Sequence, residues 1–155
     1  MTILLTGSHG FLGQHVHTIL LSAGHTVWRY SRAVNTVHDT CVSHCDLIIN
    51  CAGETEDKEH MWHANLEFAA NLLRAADAFK RRMIHVGTLV EELPIHTVYH
   101  ATKRAATDLC VGYAREFGTN VSVIRPSTIY GAGDRASAFL PTLWRAYVED
   151  KPFRV

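Results

Sequence analysis

Tyr99 and Lys103 stand four residues apart in the run Tyr99-His100-Ala101-Thr102-Lys103. On a helix that spacing puts the phenol and the ammonium on one face. A free tyrosine, with a pKa near ~10, is a poor base at neutral pH, but a neighbouring ammonium favours the phenolate. Such a phenolate can trade a proton with a substrate hydroxyl or carbonyl. The spacing alone is common, and a solvated pair on an amphipathic helix would look the same.

A second constellation is Thr6-Gly7-Ser8-His9-Gly10-Phe11-Leu12-Gly13, with glycines spaced Gly-x-x-Gly-x-x-Gly between an apolar β-type run and a helical pattern. One glycine permits the tight turn, one lets the backbone approach a pyrophosphate, and one lets helix and strand pack closely. The diphosphate of a dinucleotide then rests on free N–H groups at the positive end of the helix dipole. His9, Phe11 and Leu12 belong to the same cradle. A glycine loop that merely turns a corner is the competing reading, and the flanking strand and helix weigh against it. The end of the second strand selects the dinucleotide: a carboxylate there holds the adenosine ribose of NAD, whereas a cation favours the extra phosphate of NADP. The chain reads Trp28-Arg29-Tyr30-Ser31-Arg32. Arg32 therefore points to NADP over NAD, unless it is a solvated surface charge.

These residues need a scaffold, and the pattern supplies one. Short β-branched runs alternate with stretches of helical period, the signature of a parallel sheet wrapped by helices. Strands are expected at Thr2 to Leu5, His25 to Tyr30, Val34 to Asp39, Asp46 to Asn50, Arg82 to Val86 and Val121 to Arg125, where Pro126 stops the last one. Helices are expected at Gly10 to Ala23, Met61 to Phe79, Val98 to Phe117 and Ala136 to Val148. Gly24 should end the first helix. The fold class is α/β: a Rossmann-type doubly wound parallel sheet with helices on both faces. A single NAD(P)-binding domain is expected over 1–155.

On the glycine turn, Tyr99/Lys103 and the segment Arg125-Pro126-Ser127-Thr128-Ile129-Tyr130-Gly131, the chain resembles the short-chain dehydrogenase/reductase superfamily. The extended, nucleotide-sugar epimerase/dehydratase type fits best. The resemblance runs from Thr2 to Val155. It implies that Thr88 completes a triad with Tyr99 and Lys103, with Thr88 hydrogen-bonding the reacting oxygen. Lys103 would hold the nicotinamide ribose and lower the Tyr99 pKa. It further implies that Cys51, Ala52 and Gly53, in the family-like Asn50-Cys51-Ala52-Gly53, pass along the cofactor, and that Pro126, Ser127 and Thr128 lie beside the nicotinamide. Ser31 falls where NAD-preferring members carry Asp. Asn65 would be structural, bonding the backbone of the central strand. The two long helices, 61–79 and 98–117, match those of a four-helix interface, so a homodimer is expected.

Three departures stand out. The segment between the second strand and Asp46 is short, as if a crossover helix were missing, which bears on the adenine pocket. The stretch from Thr88 to Tyr99 is also short and thins one wall of a substrate site. Extended members continue well beyond this length, so the C-terminal substrate-binding region is read as absent or minimal. Sugar 4,6-dehydratases carry Asp-Glu directly after the triad threonine, whereas Leu89-Val90 follow here, so the dehydratase reaction is disfavoured. The expected activity is an NAD(P)-dependent oxidoreductase or epimerase acting on a nucleotide sugar or a related hydroxyl or carbonyl compound. The alternatives are an NADPH-dependent reductase of small carbonyl compounds and a dinucleotide-binding sensor or subunit without turnover.

Composition excludes other classes. Fifteen Lys and Arg balance fifteen Asp and Glu, which leaves no electrostatic footprint for nucleic acid or an anionic membrane. No apolar run reaches the ~18 residues of a membrane span, and Ile3 to Leu5 is too short for a signal-peptide core, so a cytoplasmic protein is expected. Cys41, Cys45, Cys51 and Cys110 lack the spacing of a secreted disulfide scaffold and read as free thiols. His38, Asp39, Cys41, His44 and Cys45 cluster, but no second ligand pair at structural-zinc spacing accompanies them, and no metal is expected.

Overall fold

The computed structural model describes residues 1–30, 39–94 and 97–152. Its strands are β1 Thr2–Thr6, β2 Thr26–Tyr30, β3 Leu47–Asn50, β4 Arg82–Val86 and β5 Val121–Ile124. Around them run α1 Phe11–Ser22, α2 Asp39–Ser43, α3 Lys58–Met61, α4 Phe68–Ala78, α5 Val98–Phe117 and α6 Phe139–Val148. The strands form one sheet in the order β2-β1-β3-β4-β5. Every pairing is parallel.

A parallel sheet covered on both faces needs strands apolar on both sides. β3 meets that demand, being buried at all of Leu47–Asn50. Alternation then sends Leu4, Ile48 and Met83 to one core with Leu72, Leu73 and Ala76 of α4 and Cys110 of α5. Ile3, Leu5, Leu47 and Ile49 enter the other core, under Val16 and Leu20 of α1. The doubly wound α/β architecture expected from the sequence is thus the one observed. Among the described residues no helix is long and apolar enough to cross a membrane.

The elements match their expected places with some corrections. The strand expected at Val34 to Asp39 lies outside the described residues except for Asp39, and Asp39 opens α2. A carboxylate in a helix's first turn offsets the helix dipole, which favours that outcome. The short β2–β3 connection therefore still carries a helix, which packs Val42 at 0% exposure into the core. The long helix expected from Met61 starts at Lys58, where Asp57 caps it by accepting the N–H groups of Glu59 and His60. It then widens into a π-helical turn over Trp62–Glu67 before α4. All four cysteines are free thiols.

All five strands point their C-terminal ends the same way, so four connections gather at one edge: the glycine turn after β1, residues 51–57 after β3, Gly87 and Thr88 after β4, and residues 125–135 after β5. Open α/β sheets bind ligands at this edge, in the crevice at the strand ends.

Candidate active site

The glycine turn is built around two close approaches. Gly7 has φ +66, and a Cβ there would lie 2.5 Å from Ala52 N and from the carbonyl of Cys51. Only a residue without a side chain lets this turn lie against the loop after β3. At Gly13 a Cβ would lie 2.1 Å from Gly7 O and 2.9 Å from Ser8 Cα, so the third glycine brings α1 down onto the turn. The Gly10 N–H donates to Gly7 O at 3.0 Å and closes the loop. Gly10 is also the N-cap of α1, with no side-chain cap and no acidic residue in the first turn. The N–H groups that open α1 at Phe11, Leu12 and Gly13 thus have no intrahelical partner and sit at the positive end of the dipole.

A buried polar chain ties the strand ends together. Thr6 Oγ1 donates to Asn50 Oδ1 at 2.6 Å, the Ala52 N–H donates to the same oxygen at 3.1 Å, and Asn50 Nδ2 lies 3.1 Å from His85 Nδ1. The Ala52 N–H identifies Oδ1 as the acceptor, so Asn50 Nδ2 donates and His85 Nδ1 accepts. Burial holds the His85 imidazole neutral, with its pKa pushed down to about 3. The nearby Lys103 charge acts in the same direction. This chain crosses β1, β3 and β4 beneath the glycine turn. Asn65, 1% exposed, does comparable work for the next loop. Its Oδ1 accepts the Glu54 N–H at 2.7 Å, and its Nδ2 donates to Glu54 O at 2.9 Å and Thr102 Oγ1 at 3.2 Å. The expectation that Asn65 bonds the central strand is corrected: it bonds the loop beyond β3 and α5.

Thr88, Tyr99 and Lys103 meet at the ends of β3 and β4. α5 begins at a Thr97 cap that accepts the His100 N–H, and its first turns carry Tyr99 and Lys103 on one face. The Thr88 side chain lies beside the Tyr99 phenol. Lys103 is buried, donates from Nζ to Val86 O at 2.6 Å, and lies 4.0 Å from where a Cβ on Gly53 would be. The bare backbone at Gly53 leaves room beside that ammonium. Burial pushes the Tyr99 pKa up, against the lowering effects of the neighbouring Thr88 side chain and of Arg135, while Glu91 raises it further. Burial pushes Lys103 down, with Glu91, Cys51 and Cys110 opposing that shift. Arg135 is a cation that favours the Tyr99 phenolate.

The other expected site residues spread along the same edge. Ala52 meets the glycine turn through Gly7. The Cys51 thiol is pushed up to about 11 by burial and so stays protonated at neutral pH. Pro126 O accepts the Leu89 N–H at 2.9 Å, which seats the segment after β5 beside Thr88, with Ser127 and Thr128 exposed beyond it. That segment continues past α1, where His15 Nε2 lies 3.1 Å from Ala132 O. His9 is exposed, and its carbonyl accepts from Gln14 Nε2 at 2.8 Å. Ser31 and Arg32 lie outside the described residues. Two residues not singled out from the sequence join the site. Arg29, at the end of β2, reaches Ser8 Oγ at 3.3 Å and Ser8 O at 3.4 Å. Arg135 holds Thr55 Oγ1 and pairs with Glu56 Oε1 at 3.4 Å. In the sequence Arg29 stands two residues before Ser31 and three before Arg32, whereas nothing local marks Arg135.

A dinucleotide fits these residues. The two positions a Cβ would fill, Gly7 and Gly13, surround unpartnered N–H groups suited to a diphosphate, and the buried ammonium of Lys103 lies farther along the same strand ends.

Residues 3–155 match the NAD dependent epimerase/dehydratase family. GDP-6-deoxy-D-mannose reductase of Pseudomonas aeruginosa is 29% identical over 166 residues, covering 87% of this chain and 54% of the relative. UDP-glucuronic acid 4-epimerase of Bacillus cereus, solved in complex with NAD, superposes with a TM-score of 0.83 at 23% identity, over 98% of this chain and 65% of the other. dTDP-glucose 4,6-dehydratase of Bacillus anthracis, also solved in complex with NAD, gives 0.79 at 17% identity over 97% and 62%. The chain thus spans between half and two thirds of the length of these relatives.

Proposed function

The chain belongs to the NAD dependent epimerase/dehydratase family, and on that premise we propose that it carries the catalytic centre of a nicotinamide-dependent oxidoreductase or epimerase of nucleotide sugars. The observation that supports this reading most directly is the buried Lys103, its Nζ on Val86 O and beside Gly53, at the strand ends that also carry Thr88. Gly7, Gly10 and Gly13, with the opening N–H groups of α1, hold the diphosphate. Residues 51–53 and 126–128 flank the rest of the dinucleotide, and Lys103 orients its nicotinamide ribose. Nicotinamide chemistry supplies the hydride transfer when the cofactor is bound. Tyr99 takes the proton from a substrate hydroxyl, or returns it to a carbonyl, and Thr88 positions that oxygen. Arg135 favours the phenolate form that the base needs. Leu89 and Val90 stand directly after Thr88, where sugar dehydratases carry Asp-Glu, which disfavours the dehydration reaction.

Reduction is the second reading, and Arg29 favours it. Its guanidinium on Ser8, beside the glycine turn, and Arg32 in the sequence support a preference for NADP, the dinucleotide that commonly serves reduction. The 29% identical relative is named as a reductase, which points the same way. The Bacillus cereus epimerase and Bacillus anthracis dehydratase structures hold NAD, so cofactor choice is tested by competition between the two dinucleotides. We also propose a homodimer through residues 61–79 and 98–117, consistent with exposed Trp62, Leu109 and Phe117 on those helices.

Tyr99→Phe tests the catalytic assignment. It removes the proton carrier and leaves the glycine turn untouched, so dinucleotide binding should persist while turnover of nucleotide sugars falls by roughly a hundredfold or more. Turnover equal to the parent would refute the role of Tyr99.

A further inference from the structure

The Thr88–Tyr99–Lys103 site has a carboxylate that its proposed mechanism does not use. Glu91 lies three residues after Thr88, the spacing at which a glutamate folds back on the residue that caps a helical turn. It does so here: Leu89–Glu92 form a 3₁₀ turn capped by Thr88, and Glu91 Oε1 accepts the Thr88 N–H at 2.7 Å. A capping glutamate is ordinarily exposed, as its neighbour Glu92 is, with a side chain 57% accessible. The Glu91 side chain is 3% accessible, and a carboxylate taken out of water needs compensation. Arg125 supplies part of it, with Nε 3.4 Å from Glu91 Oε2.

The surrounding packing is specific to this arrangement. A Cβ on Gly87 would lie 2.5 Å from Glu91 Oε1 and 3.1 Å from Thr107 Oγ1, so the bare residue before Thr88 is what lets the carboxylate in. Arg104 Nη1 donates to the Glu91 carbonyl at 3.4 Å and fastens the turn to α5. The charged and titratable groups facing Glu91 are Arg125 from the end of β5, Glu92 on its own turn, and Tyr99, Lys103, Arg104, Asp108 and Cys110 from α5.

We propose that Glu91 is a positioning residue for this site: its buried carboxylate fixes the backbone that presents the Thr88 hydroxyl and sets the electrostatic environment of Tyr99 and Lys103. The inference rests on the proposed roles of those three residues. Two functions meet in one group. Held by the Thr88 N–H, Glu91 anchors the strand end from which Thr88 reaches Tyr99. As a negative charge it favours the ammonium of Lys103 and opposes ionisation of Tyr99, keeping proton release from the phenol in check.

The test is direct titration of Tyr99, read as the tyrosinate absorbance of each protein minus that of its Tyr99→Phe counterpart. Glu91→Gln keeps an acceptor for the Thr88 N–H and removes the charge, so Tyr99 should ionise at lower pH than in the parent. Arg125→Gln leaves the Glu91 charge less compensated and should move Tyr99 to higher pH. Opposite shifts in the two variants support the proposal. No shift, or shifts in the same direction, overturns it, and if one variant fails to fold the sign in the other decides. A parallel titration with NADPH separates this inference from the functional reading. Opposite shifts without dinucleotide binding would leave Glu91 as the positioning residue and refute the cofactor assignment; binding without shifts would do the reverse.

Discussion

Gly13→Ala perturbs the site at its tightest point. The added methyl would lie 2.1 Å from Gly7 O, 2.8 Å from Gly7 C and 2.9 Å from Ser8 Cα, all backbone atoms that cannot rotate away. α1 must retreat from the turn by about 1 Å, and overpacking of this kind costs about 1–3 kcal/mol. For a chain of this size each kcal/mol shifts the melting temperature by about 2–4 °C, so a fall of about 2–12 °C is expected in thermal unfolding followed by circular dichroism. The same retreat displaces the N–H groups of α1 from the diphosphate, and a loss of about 1.4 kcal/mol there weakens binding roughly tenfold. Gly112→Ala is the control: it lies inside α5 with nothing within 4 Å of its would-be Cβ, and should stabilise by about 0.5–1 kcal/mol. If Gly13→Ala melts at or above the parent temperature and binds dinucleotide equally well, the close-packing argument is wrong.

Other expectations follow from the buried polar groups. Asn65→Ala removes three hydrogen bonds and leaves the loop after β3 without its clamp, so the urea midpoint should drop by the equivalent of about 2–3 kcal/mol. The His85 pKa falls from 6.5 in the unfolded chain to about 3 in the fold, so its contribution to stability is present above pH 6.5 and is lost as pH falls towards 3. The slope approaches about 1.4 kcal/mol per pH unit inside that window, and His85→Gln should flatten it in urea unfolding measured from pH 7 down to pH 4. Light scattering should give twice the chain mass, and Leu109→Glu, a charge on an exposed apolar position of α5, should halve it.

What could be read from the sequence was whatever has a local signature. The glycine turn is legible because Gly7 and Gly13 each answer a steric demand at fixed spacing from β1 and α1. β3 is legible because a strand buried on both faces must be apolar at Leu47, Ile48 and Ile49. The Tyr99/Lys103 pair is legible because helical period alone puts the two on one face. What escaped depends on neighbours distant in the chain. Thr6, Asn50 and His85 form one buried chain across separations of 44 and 35 residues, and nothing local marks His85 as neutral. Arg135 acts on Tyr99 only because the segment after β5 folds back to residues 55 and 56. For the same reason the sequence cannot reveal that Lys103 Nζ turns to Val86 O or that burial outweighs nearby charge at Tyr99.

The central claim is that the strand ends around Gly7, Gly13 and Lys103 hold a nicotinamide dinucleotide. Titration of the chain with NADPH and NADH in parallel, followed by nicotinamide fluorescence, tests it most directly. Saturable binding of one dinucleotide per chain is expected, tighter for NADPH and losing that preference in Arg29→Asp. Absence of binding by either dinucleotide to the folded chain would contradict it.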